Sequence, residues 1–243
     1  MSSEKRISIF ETDAVKNLEV EAACANVFFT KSSDRQIHVE AEETGRGRYC
    51  CEVRGETLVV TYEIPKKMIS FHSDPTARIW IFLPAEFTLE QVVLEIGAGN
   101  MKIEGVLLSC RNMSVEVGAG KWEAEQLLVS EQLEMEIGAG KAEVKQADAG
   151  TLHIDCGVGD CTYEGRVHGD IKVDCGVGNC KLNLDNKESD FSYDISCALG
   201  SVSVNGNRVK SIGSQNISTG GNPQGKAVLE CGIGNILVVT KRL

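Results

Sequence analysis

A Gly-x-Gly step recurs along the chain about every twenty residues, and this interval restricts the fold more than any other feature. "LEIGAGNMKIEGV" starts at Leu94 and returns, little changed, as "VEVGAGKWEAEQL" and "MEIGAGKAEVKQA". The residue before each step serves as an anchor: Ile96, Val117, Ile137, Cys156, Cys175, Cys197 and Cys231. Their spacings are 21, 20, 19, 19, 22 and 34. Self-similarity near one fixed period marks a stacked repeat architecture.

The columns of this alignment are consistent. Two before the anchor stand Leu94, Val115, Met135, Ile154, Val173, Ile195 and Leu229; five after stand Met101, Trp122, Ala142, Cys161, Cys180, Val202 and Ile236. The columns four before and seven after are apolar too, and the residues between are mostly polar. This is the period-two alternation of half-buried strands. Each unit therefore reads as strand, Gly-x-Gly corner, strand and return. Twenty residues cannot hold a helix with a strand on each side, so the expected fold is an all-β, single-stranded parallel β-helix (β-solenoid). Each coil lies on the one before it, and right-handed winding is the default.

Seven copies of a glycine step, none followed by Gly-Lys-Ser/Thr, are structural and not a nucleotide loop. The glycines are expected where the corner needs a positive φ or where close stacking excludes a Cβ. Ala198 replaces the first glycine of the sixth step, so that position should be the less demanding of the two. The middle residues, Ala98, Ala119, Ala139, Val158, Val177, Leu199 and Ile233, are all apolar and are expected to tuck inward.

The chain reads as one domain over 1–243. Residues 1–90 should form irregular N-terminal coils and a cap, with "LEVEAACANVFF" fitting the template at Ala22 and "QIHVEAEE", "ETLVVTYEI" and "ARIWIFLP" as further strands. "KKMISFHSDPT" (66–76) is expected to be a loop. Residues 91–243 carry the regular coils, interrupted by a Gly/Asn/Ser-rich surface excursion at 205–225.

Thirty-five acids against 25 bases give a formal charge of −10. A surface of that sign argues against nucleic acid or anionic membrane as a partner. The start, "MSSEKRISIF", holds no apolar run suited to a signal peptide, and no stretch approaches the roughly 18 apolar residues of a membrane span. The expected location is cytoplasmic, without direct membrane insertion. Ten cysteines do not signal a disulfide framework in a chain of this length.

From "NLEVEAACANVFF" through "ARIWIFLP" and the "EIGAGNMKIEG" units to "ECGIGNILVV", the chain resembles the bacterial "putative adhesin" domain family, a β-solenoid domain of unknown function. The resemblance spans roughly residues 5–240. It implies the fold and an adhesin-like role, and it brings no catalytic residues with it.

Cys156, Cys175, Cys197 and Cys231 share the anchor column, where they read as a ladder of small buried hydrophobes interchangeable with Ile96, Val117 and Ile137. A stack of strands would hold the thiols in a line, which suits one tetrahedral ion poorly, so no metal site and no cofactor is expected. Asn100, Lys121, Lys141, Asp160, Asn179, Ser201 and Asn235 form the column four after the anchor, and its two lysines exclude a calcium ladder. Trp122 is expected in the core. The four histidines show no ligand spacing, and no Ser/His/Asp set, Cys/His pair or carboxylate dyad points to catalysis. A flat strand face should carry no pocket.

The informative exposed column stands directly before the anchor: Glu95, Glu116, Glu136, Asp155 and Asp174, then Ser196 and Glu230. Carboxylates stacked at coil spacing repel by about 0.8–1 kcal/mol per neighbour pair even at the dielectric of water. The five consecutive acids are therefore the candidate interaction face, for a basic protein partner or for cations. The expected function is a non-catalytic scaffold or binding module. The alternative is a structural protein that self-associates end to end through its coils into a homo-oligomer.

Overall fold

The computed structural model describes residues 4–43, 47–65, 77–210, 213–217 and 223–241. In chain order the strands are β1 (Glu4–Phe10), β2 (Asn17–Lys31), β3 (Ile37–Glu43), β4 (Arg48–Arg54), β5 (Thr57–Glu63), β6 (Ala77–Leu83) and β7 (Thr88–Ile103). They continue with β8 (Leu108–Val117), β9 (Lys121–Ala124), β10 (Leu127–Ile137), β11 (Lys141–Cys156), β12 (Asp160–Val167), β13 (Ile171–Cys175) and β14 (Asn179–Lys187). The last are β15 (Phe191–Cys197), β16 (Ser201–Val204), β17 (Asn207–Lys210), β18 (Gly213–Ile217), β19 (Gly225–Cys231) and β20 (Asn235–Lys241). All belong to one hydrogen-bonded sheet wound into a solenoid. No helix among the described residues is long and apolar enough to cross a membrane.

The repeat offsets are the coil offsets. Glu95 faces Glu116, Glu116 faces Glu136, Glu136 faces Asp155 and Asp155 faces Asp174, all in parallel ladders. A central coil pairs with its neighbours along three stretches, for example 127–129, 132–137 and 141–144, with a register break between Val129 and Gln132. The return segment thus carries a short ladder of its own, which the two-strand reading of the unit did not include. Inside, the apolar columns merge into one continuous core running from Val15 to Val238. Trp122 is fully buried between Met101 and Ala142 of the flanking coils, a large side chain beside a small one in the same column. Each buried aliphatic anchor, Ile96, Val117 and Ile137, contributes roughly 1.5–3 kcal/mol.

Stacking follows chain order only in the middle. At the C-terminal end β19 and β20 insert between the β13–β14 coil and the β15–β16 coil, so the anchor order is Cys175, Cys231, Cys197. At the N-terminal end β2 lies between β7 and the coil made by β5 and β6, with Ala22 opposite Ile96. Strand β2 and the β19–β20 coil therefore each lie one layer in from an end of the stack, while the N-terminal strand β1 pairs with β3 at the outer edge. Antiparallel strands cover both outermost coils: β4 on β5 and β3 on β6 at one end, β17 on β16 and β18 on β15 at the other.

The 205–225 segment is thus not simply a surface excursion, because β17 and β18 lie within it. Asn205 and Gly206, at φ 48° and 85°, form the two-residue hairpin turn that joins β16 to β17, a conformation that asparagine and glycine tolerate best. The Asn205 side chain then ties the inserted last coil to the cap. Its Oδ1 accepts from Thr240 N at 2.9 Å, and its Nδ2 donates to Thr240 Oγ1 at 2.8 Å. The 66–76 segment lies outside the described residues.

Close stacking, not backbone strain, explains most of the corner glycines. Only Gly99 among them has a left-handed φ, at 112°. A Cβ on the first glycine would stand 3.0 Å from the Gly118 carbonyl oxygen at Gly138, and 3.1 Å from that of Gly138 at Gly157. A Cβ on the second glycine would overlap the carbonyl oxygen of the equivalent glycine one coil back, as at Gly140, Gly159, Gly178 and Gly234. It would also meet an anchor side chain, Ile137 Cγ2 at 2.7 Å for Gly159 and Cys156 Sγ at 2.9 Å for Gly178. Ala198 accordingly occupies the more tolerant first position. We expect Gly159→Ala to cost about 3 kcal/mol, and Gly157→Ala less than about 1 kcal/mol. Urea unfolding midpoints at unchanged m-value check this, and equal losses would refute the stacking account.

Candidate functional site

The Gly-x-Gly corner presents five parallel columns, two inside and three outside. The anchors point in; Cys156, Cys175, Cys197 and Cys231 are all buried, in the positions that Ile96, Val117 and Ile137 hold elsewhere. Their thiols gain a specific partner that the aliphatic anchors lack. Cys156 Sγ donates to the Gly159 carbonyl at 3.1 Å, Cys175 to that of Gly178 at 3.2 Å and Cys231 to that of Gly234 at 3.0 Å, each closing its own corner. None of the ten cysteines forms a disulfide. Burial alone pushes the Cys110 thiol up to about 12, which suits a neutral packing residue.

The middle residue of the corner points out, contrary to the sequence expectation. Val158, Val177, Leu199 and Ile233 are 65%, 53%, 67% and 61% exposed. Extending the strand alternation through the corner puts this residue inside, but the chain bends there. Its backbone N–H donates to the first glycine carbonyl of the neighbouring coil, as Val158 does to Gly138 at 2.8 Å and Ile233 to Gly176 at 2.7 Å. With the glycine faces pressed on the adjoining coil, the side chain between them is left facing solvent. In stack order the residues are Ala98, Ala119, Ala139, Val158, Val177, Ile233 and Leu199, an apolar ridge that grows toward the C-terminal end.

Beside the ridge runs the acidic column. The structure brings Glu95, Glu116, Glu136, Asp155 and Asp174 together as expected and extends them at both ends, with Glu21 opposite Glu95 and Glu230 opposite Asp174. Seven carboxylates then lie on successive coils over about 29 Å. None of the seven forms an ion pair with another described residue. Lys121 pairs with Glu123 at 2.8 Å, Lys141 with Glu143 at 3.4 Å and Lys226 with Asp194 at 3.0 Å, while Lys172, two residues before Asp174 on β13, stands beside the column without an ion pair among the described residues. His153 faces Glu134 at 3.5 Å, outside the acidic column.

On the far side of the ridge the polar column is a hydrogen-bonded ladder. Asn179 donates to Asp160 at 2.8 Å, Asn235 to Asn179 at 3.0 Å and Ser201 to Asn235 at 2.7 Å. At the other end Asn100 donates to Asn26 at 3.0 Å. The column was visible in the sequence; its self-pairing needed the coil order.

Against the expectation of no pocket, an open cleft of about 580 Å³ lies at the N-terminal end, lined by Thr12, Lys31, Ser32, Asp34, Arg35 and Phe87 among others. Asp34 is held there as a turn residue, accepting from Gln36 N at 2.9 Å, His38 Nε2 at 2.9 Å and Ser32 Oγ at 3.0 Å. These bonds keep its carboxyl below the usual range, the Gln36 amide foremost. Ser32 and His38 both bind the carboxylate and not each other, so the imidazole is not placed to take the hydroxyl proton. His168 pairs with Asp148 at 2.8 Å, and His72 lies outside the described residues.

A sheet coiled on itself, with equivalent positions of successive coils stacked into columns, defines a β-solenoid. The sequence profile of the Toastrack DUF4097 family matches residues 69–231, and the chain belongs to that family. Among solved structures it is similar to one from Bacteroides fragilis described as a putative adhesin, at 17% identity and a TM-score of 0.50, with 98% of each chain covered. It is also similar to one from Clostridium sporogenes described as a putative cell adhesion protein, at 13% identity and a TM-score of 0.42, covering 99% of this chain and 100% of that one. No curated protein matches the chain.

Within the acidic ladder, Glu21 has its pKa raised, by desolvation first and then by Glu95 and Glu19. A carboxyl whose folded pKa lies above its unfolded value adds stability below the unfolded value and loses it as pH rises through the folded one. Glu21→Gln should therefore melt above the wild-type protein at pH 7 and together with it at pH 3.5, with the gap narrowed by salt. Thermal melts at the two pH values check this.

Proposed function

We propose that the chain is a non-catalytic, adhesin-like binding module that holds a basic, amphipathic protein segment along its Gly-x-Gly corner. The observation that carries this reading is the unpaired acidic ladder running beside an exposed apolar ridge. Three chain positions separate the two columns, so they lie within about 11 Å of each other. Apolar side chains in a row on a soluble surface favour a contact site over a solvated face. A cationic partner would relieve the mutual repulsion of the carboxylates and cover the ridge at the same time. The fold shared with structures described as adhesins supports the coarse role, and the acidic surface disfavours nucleic acid and membrane insertion. We take the coils to wind right-handed, as parallel crossovers do.

End-to-end self-association is the weaker reading. A second copy cannot continue the parallel stack across antiparallel caps, and β17 and β18 have only four and five residues.

The test is a fluorescent peptide with alternating lysine and leucine, titrated with the protein at low and high salt. Binding should weaken with salt. Glu116→Lys with Glu136→Lys should abolish it, and Ile233→Asp should weaken it at least about tenfold, about 1.4 kcal/mol. Circular dichroism should show the fold intact. Binding that both variants leave unchanged would discard the proposal.

A further inference from the structure

Two corners differ from the rest in carrying a cysteine on each side: "CGVGDC" (156–161) and "CGVGNC" (175–180). Cys156 and Cys175 are paired neighbours in the anchor column, and Cys161 and Cys180 are paired neighbours in the column across the corner. The sequence reading sets such thiols in a line. The fold closes the line into a cluster, because the corner turns the second column back over the first. The sulfur atoms of Cys156, Cys175 and Cys180 all lie within 4.8 Å of one another, and all three side chains are buried.

We propose that Cys156, Cys175 and Cys180 form a three-thiolate site for a soft monovalent cation, Cu(I). Metal–thiolate bonds of about 2.3 Å put three sulfurs about 4 Å apart around a trigonal ion, so a small contraction of the cluster suffices. Thiolate donors select soft ions, and three thiolates complete the coordination of Cu(I), whereas Zn(II) takes a fourth ligand. Cys161, opposite Cys180 in the column across the corner, falls outside the trio.

Loading moves no electrons. Each coordinating thiol gives up its proton to solvent and forms one metal–sulfur bond. The backbone tolerates that loss. The Gly159 and Gly178 carbonyls that accept the Cys156 and Cys175 thiol protons also accept the Asn179 and Asn235 amides, at 3.1 and 2.9 Å. Neither carbonyl is orphaned when its thiol deprotonates.

The chain supplies its own fold-preserving variants. Cys156→Val and Cys175→Val copy Val117 in the anchor column, and Cys180→Ala copies Ala142 in the other. The full chain is titrated anaerobically with Cu(I) against a chromophoric chelator, and bound copper is counted after gel filtration. One equivalent per chain is expected. It should be lost in the Cys156→Val/Cys175→Val double variant and in Cys180→Ala, with melting temperatures of the metal-free variants within a few degrees of wild type. It should persist in Cys50→Ser/Cys51→Ser, which removes the half-buried pair on β4, and in Cys161→Ser. Copper uptake unaffected by the cluster variants, or lost with Cys50 and Cys51, overturns the site. Loss in Cys161→Ser overturns its three-thiolate form.

Discussion

The contact on which the structure depends is glycine on glycine, backbone to backbone, at each Gly-x-Gly corner. Where the second glycines of neighbouring coils meet there is no room for a single carbon, so the coils are pulled to strand spacing and their register is fixed. A one-residue slip would bring a side chain into that contact and turn every strand inside out. With register fixed, position in the repeat becomes position on the surface. Each sequence column is then a physical stripe, and the chemistry of a stripe is whatever the column repeats.

That rule separates the three outer stripes by how they treat repetition. The polar column satisfies itself, since amide, carboxylate and hydroxyl groups can donate and accept along a stack, and Asp160 through Ser201 do so. The lysines of the same column find glutamates two residues on along the same strand. The acidic column can do neither, because carboxylates only accept. Its repulsion persists over seven coils, and at Glu21 it adds to desolvation, the larger cause, in raising the proton affinity of that carboxyl. Of the three stripes it is the one whose free energy an external cation would lower most.

Strand faces, anchors, corner glycines and the acidic column were legible because they depend only on period and on alternation within a strand. What failed depends on more than period and alternation. Val158 and its equivalents point outward because alternation does not survive a bend whose flanking residues are glycines. The order Cys175, Cys231, Cys197 was hidden because spacing along the chain does not reveal which coil slips between two others. The Asn205–Gly206 turn was in plain view as an Asn-Gly pair between apolar runs, yet it was absorbed into a glycine-rich stretch. The thiol cluster needed the third dimension altogether, since its members lie on opposite sides of a corner.

The stack is also graded from end to end in a way that stability alone does not explain. Toward the N-terminal end the corners keep Ile96, Val117 and Ile137 inside and alanines outside. Toward the C-terminal end they keep cysteines inside and Val158, Val177, Ile233 and Leu199 outside. Apolar bulk has moved across the wall of the solenoid, from where burial rewards it to where water surrounds it. A wall selected only to stand would hold the larger group within. The exchange leaves small polarisable sulfurs in the core and a hydrophobic edge on the outside of the same coils. The proposed contact surface would account for the edge, and the proposed thiolate site for the Cys156 and Cys175 anchors inside it.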